Sequence, residues 1–119
     1  MKIAVAGFAD TPAIAHFGTA GHFTIYEWRN ERFEVVEVRQ NMPACHRAQH
    51  LEGLRASAAL VADCAAVIVS GIGPVAQDVL AERKVYDYTA AGGEQGGILE
   101  TLAYVHDRLR QFQHITHRT

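Results

Sequence analysis

Val67-Ile68-Val69-Ser70-Gly71-Ile72-Gly73-Pro74 decides how this chain folds. A short apolar, β-branched run that breaks into Gly-x-Gly-Pro reads as a buried strand ending in a tight loop. Pro74 stands where the first residue of a helix would be. In open α/β sheets such a strand–loop–helix corner borders the edge where ligands bind, because loops gather there and helix N-termini point free N–H groups outward. The functional question is which other residues reach that edge.

Upstream, the mostly apolar Ile3 to Ala6 reads as a central strand covered on both faces and closed by Gly7. Phe8 to Gly21, with its Asp, Thr, Pro and Gly residues, reads as a long excursion with room for a short helical turn, and it carries His16-Phe17-Gly18. Phe23–Trp28 and Phe33–Arg39, joined by Arg29-Asn30-Glu31-Arg32, form an antiparallel hairpin. Strict alternation puts Phe33, Val35, Glu37 and Arg39 on one face, with Glu34, Val36, Val38 and Gln40 on the other. Neither face is wholly apolar, so the hairpin belongs at a sheet edge.

After the break Asn41-Met42-Pro43-Ala44-Cys45-His46, helical spacing of Leu51, Leu54, Ala58 and Val61 predicts a helix from about 47 to 62. A second helix runs from Pro74 to about Arg83 with Val75, Val79 and Leu80 inward, and Val85–Tyr88 forms a fifth strand. A glycine-dense loop, 90–97, precedes the last helix, whose stripe is Ile98, Leu102, Val105, Leu109 and Phe112. His106 and the tail histidines His114 and His117 are expected at the surface, and residues 113–119 to fray.

The order βββαβαβα predicts an α/β domain of ribonuclease-H-like type: a mixed five-stranded sheet, strand two reversed, with helices on both faces. One domain over residues 1–112 suits a chain of 119 residues. If strands one, three, four and five run alike, the loops 8–21, 41–46, 71–73 and 90–97 share one edge. His16, His22, Cys45, His46 and the glycine turn then become neighbours.

Composition narrows what that edge could do. A net charge of −2 with mixed signs offers no basic field for nucleic acid. No apolar run approaches a membrane span or a signal h-region, so a cytoplasmic protein is expected. Two cysteines, Cys45 and Cys64, are too few for a disulfide framework and read as packed thiols or ligands. Thiolate and imidazole suit iron–sulfur centres and late first-row metals. Cys45-His46 with His50 four residues on lacks the spacing of a closed zinc site. An open site with one or two protein ligands, completed by backbone N–H groups, would suit a bulky anionic cluster. The first and fourth strands carry no acid, which argues against a two-metal nuclease, and no oxyanion or orienting partner completes a Cys–His nucleophile.

Ala15-His16-Phe17-Gly18 with His22-Phe23-Thr24-Ile25-Tyr26-Glu27, then Asn41-Met42-Pro43-Ala44-Cys45, then 62–74 ending Ser70-Gly71-Ile72-Gly73-Pro74, resemble the dinitrogenase iron-molybdenum cofactor biosynthesis family. That family includes NifX-like carriers and the NifB C-terminal domain, and the resemblance spans roughly residues 1 to 105. Gly71 stands where many relatives carry a basic residue, and Met42 where proline is usual. The resemblance implies a nitrogenase-accessory-factor-like domain that carries iron-molybdenum cofactor or its iron-sulfur precursor without catalysing a reaction. Cofactor-assembly or nitrogenase proteins would be its partners. It points to His16 and Cys45 as metal ligands, with His46, His22, Gly71 and Gly73 contributing to cofactor binding. Each has a plainer reading: His16 as a loop cap, His22, His46 and His50 as ordinary exposed imidazoles, the glycine turn as tight packing, and Cys64 as core. A regulatory or interaction domain taking a small anion at the same edge is the alternative. The exposed hairpin edge leaves pairing with a partner strand open, and a homodimer stays open with it.

Overall fold

The computed structural model describes residues 1–44, 50–90 and 97–118, with backbone alone for 112–118. Five strands alternate with three helices: β1 (Lys2–Gly7), β2 (His22–Arg29), β3 (Arg32–Gln40), α1 (His50–Leu60), β4 (Ala66–Val69), α2 (Pro74–Glu82), β5 (Tyr86–Thr89) and α3 (Ile98–Arg118). A 3-10 turn at Phe17–Thr19 interrupts the excursion after β1. The sheet order is β3-β2-β1-β4-β5. β2 is antiparallel to β1 and β3, while β1, β4 and β5 run parallel. The expected α/β class and mixed five-stranded sheet are present, and the loops after β1, β3, β4 and β5 leave from one edge.

The sheet is buried on both faces by different helices. Ala4, Ala6, Phe23, Ile25, Val67 and Val69 pack with Leu54 and Ala58 of α1 and with Ala76, Val79 and Leu80 of α2. Ile3, Val5, Ala66 and Ile68 on the opposite face pack with Leu102 and Val105 of α3. Strict alternation along β1 and β4 therefore divides two cores between the two faces.

Four expectations change on contact with this packing. Leu51 and Val75 are exposed, because the buried stripes of α1 and α2 centre on Gly53-Leu54-Ser57-Ala58 and on Ala76-Val79-Leu80. Each of the two lies roughly a quarter-turn off its stripe at 3.6 residues per turn. His106 is buried, stacked on Trp28 with ring centroids 4.8 Å apart and edge-on to Phe33 at 5.5 Å. The α3 backbone stays helical to Arg118, past the predicted stop at 112, since extending a packed helix costs far less than nucleating one.

Lastly, β3 does not alternate strictly. Ile25 pairs with Glu37 but Tyr26 pairs with Val35, so Val36 is an extra residue in a bulge. Phe33 packs with the α3-side core, whereas Val36 packs with the α1/α2-side core. Glu37 and Arg39, opposite the α1-side residues Ile25 and Phe23, thus share a face with Val36 and not with Phe33 and Val35.

Candidate functional site

The excursion after β1 is laced to the β4–α2 turn by backbone hydrogen bonds. Ser70 N–H donates to Ala15 O and Phe17 N–H donates to Gly71 O, both at 2.9 Å. Ala15 and Phe17 are buried in the α1/α2-side core, so the residue between them turns outward. That residue is His16. Its imidazole lies against Gly71: a methyl group at position 71 would come within 2.8 Å of His16 Cδ2. Gly71 thus provides the space the ring fills.

The ring is also fixed in its plane. Gly18 N–H donates to His16 Nδ1 at 3.0 Å, and His16 caps the 3-10 turn it precedes. A nitrogen that accepts a hydrogen bond in neutral imidazole leaves the proton on the other nitrogen, so Nε2 is an N–H donor. The loop-cap role and an outward-facing polar group are therefore compatible in one side chain.

Gly73 is the N-cap of α2 with φ −83° and Pro74 follows it at the helix start, as the sequence predicts. A Cβ on Gly73 would meet nothing within 4 Å. Of the two glycines in the turn, only Gly71 answers a packing demand within the described residues.

His22 is seated differently. It pairs across the sheet with Gly7, and a methyl group at 7 would lie 2.7 Å from His22 Cε1. His22 walls two adjoining clefts: one of about 310 Å³ lined also by Thr24, Tyr26 and Ile98, the other of about 620 Å³ with Phe8, Val38 and Gln40. Both imidazoles sit at the expected edge, each over its own glycine, with His22 on the α3 side of the sheet.

Cys45 and His46 lie outside the described residues, but the segment leading to them is firmly held. Asn41 N–H donates to Gly21 O at 2.9 Å, and Asn41 Nδ2 donates to Ala20 O at 2.8 Å and to Ser57 Oγ at 3.0 Å. Ser57 is fully buried in α1, and Ala44 is fully buried in the core. Sequence reasoning missed Asn41 and Ser57 as positioning residues; the signal available was a serine within an apolar helical stripe. His50 begins α1 and is exposed.

Arg39 pins the hairpin to the end of α1. Its guanidinium bonds Asp63 through both terminal nitrogens at 2.6 and 2.9 Å, Leu60 O at 2.6 Å and Glu37 at 2.7 Å. Those hydrogen bonds hold the Asp63 carboxyl well below the usual carboxylate range. Cys64, next in the chain, is buried, and burial together with the Asp63 charge pushes its thiol up to about 12. A thiol so far from ionising is core, as expected, and not a ready ligand.

Among the described residues no three His, Cys, Asp or Glu side chains converge to hold a metal ion, and no helix is long and apolar enough to cross a membrane. A family model described as dinitrogenase iron-molybdenum cofactor matches residues 1–104. No curated protein matches the chain in sequence. Several solved structures share the fold, among them the following two. The crystal structure of PH0822 superposes with a TM-score of 0.63 at 18% identity, over 86% of this chain and 89% of that one. The NMR structure of a NifB candidate from Thermotoga (TM1290), placed in the DUF35 family, gives 0.62 at 20% identity over 87% of each chain.

Proposed function

Because this chain belongs to the dinitrogenase iron-molybdenum cofactor family, we propose that it is a noncatalytic cytoplasmic carrier of iron-molybdenum cofactor or its iron-sulfur precursor. The cluster is cargo. His16 would meet it at the edge where the excursion and the α2 N-terminus come together. The sheet order, with β2 reversed, supports naming the domain ribonuclease-H-like as part of this reading.

The observation that carries the proposal is the seating of the exposed His16 on Gly71, with Nδ1 engaged by Gly18 and Nε2 left as the free N–H. As an N–H donor, Nε2 suits a sulfide or oxygen on an anionic cluster. Direct ligation of metal by Nε2 would shift the ring proton to Nδ1 and break the Gly18 bond, opening the 16–18 turn. Cys45 would supply the thiolate, the softer ligand. Cofactor-assembly or nitrogenase proteins would donate and receive the cargo.

Anaerobic mixing with isolated iron-molybdenum cofactor, and separately with an iron-sulfur precursor, should move the cluster's absorbance into the protein fraction on gel filtration. Cys45→Ser and His16→Ala should each lower retention without altering the far-UV spectrum. Full retention by both variants would remove this site.

A further inference from the structure

β3 is an outer strand, and among the described residues β2 is its only strand neighbour. Its Val35 and Val38 are 56% and 52% exposed, whereas Phe33 and Val36 of the same strand pack against the cores. We propose that β3 pairs antiparallel with β3 of a second copy of this chain, in a single register set by the Val36 bulge. The inference stands apart from the cargo reading.

The backbone argument starts at the hairpin turn. Asn30 and Glu31 have φ of 52° and 63°, the left-handed pair of a two-residue type I′ turn, and Arg29 pairs with Arg32. The closing pair of such a hairpin exchanges both hydrogen bonds, and the ladder alternates from there. Phe33 and Val35 therefore turn their N–H and C=O groups away from β2. Past the extra residue, Val38 and Gln40 do so.

One dyad matches these groups throughout. Placed between Val36 and Glu37, it sets Val35 opposite Val38 of the partner subunit and Phe33 opposite Gln40 of the partner subunit, so outward groups meet outward groups. Side chains agree as well: Val35 and Val38 both face the α3 side, since their β2 partners Tyr26 and Thr24 do. Four valines then cluster about the axis. Glu34 lies opposite Arg39 of the partner subunit on the α1 side, joining the network of Arg39 with Glu37 and Asp63.

The neighbouring register fails on both counts. Sliding the partner by two residues sets Arg32 against Arg39 and Glu34 against Glu37, like charges directly opposed. It also sets Val35 against Val36, whose side chains lie on opposite faces. The bulge and charge pattern thus favour the Val35–Val38 pairing over this neighbour, and sliding the other way sets Val38 against Glu37, whose side chains also lie on opposite faces.

Disulfide trapping reads the register directly. Val35→Cys with Val38→Cys in the same chain, oxidised with diamide, should yield a covalent dimer whose linked peptides join position 35 to position 38. Within one strand these sites are about 10 Å apart, too far to bridge internally. Each single variant should link no more than wild type. In parallel, sedimentation of wild type should show a concentration-dependent dimer that Glu34→Arg weakens by roughly tenfold, as two attractive cross-strand pairs become repulsive. A folded double variant that stays monomeric under oxidation, or that links 35 to 35, would overturn the proposal. So would a dimer indifferent to Glu34→Arg.

Discussion

Gly71 and Gly73 stand two residues apart in one turn, yet they answer to different constraints. The His16 ring lies where a side chain on Gly71 would be, whereas open space surrounds Gly73. Gly71→Ala should displace the imidazole and lose its bond from Gly18, lowering stability by about 1 kcal/mol. Gly73→Ala should stay within about 0.5 kcal/mol of wild type. Thermal melts check both, and the sharper comparison is a cycle: in a His16→Ala background the cost of Gly71→Ala should vanish, because the two residues act on one contact. A basic residue at position 71 would compete with His16 for the same space. The glycines were legible in the sequence as a turn. Which of them was sterically required was not, since His16 is 55 residues away in the chain.

The elements were largely readable, and their failures have a common cause. Periodicity located the strands and helices of the described residues but misjudged Leu51, Val75 and the second half of β3. Helical stripes are set by the surface they meet, so Leu54–Ser57–Ala58 sets the α1 stripe and an apolar residue a quarter-turn away stays in solvent. In β3 a bulge reverses the alternation after Val35. Two adjacent valines were the sole hint. The hairpin turn offers a cleaner test of local chemistry. Glu31 holds φ at 63°, a left-handed value that side chains with a Cβ disfavour, in a turn that commonly takes Asn-Gly. Glu31→Gly should raise stability by about 0.5–1 kcal/mol in chemical denaturation, with no change in sheet register.

Docking of α3 on the sheet depends in part on a buried imidazole. His106 sits between Trp28 and Phe33, and burial, with Arg110 and the N-terminal amine nearby, lowers its pKa from the ordinary 6.5 despite Asp107. A group whose pKa is lowered by folding contributes stability that is complete above its unfolded value. That contribution is lost as pH falls towards the folded value. Stability should therefore decline below about pH 6.5, before the carboxylates titrate. Trp28, the chain's one tryptophan, should report the change in fluorescence. His106→Phe should flatten the pH profile between about 6.5 and 5 while leaving the acid limb, where the Arg39-bound Asp63 carboxylate titrates, unchanged. A wild-type profile flat across that window would show that His106 does not sense pH.

Local pattern settled the class of the domain, its element order and the edge where its loops gather, because strand alternation, helical period and Gly-Pro punctuation are properties of near neighbours in the chain. It also carried the motifs by which the family is recognised. Contacts between distant segments lay beyond it. The seat of His16 on Gly71, of His22 on Gly7 and of Asn41 against Ser57 depends on where the folded sheet brings strands and helices together. The burial of His106 depends on α3 crossing the β2–β3 hairpin. Those geometries follow from burying two cores on one sheet, which no window of sequence contains.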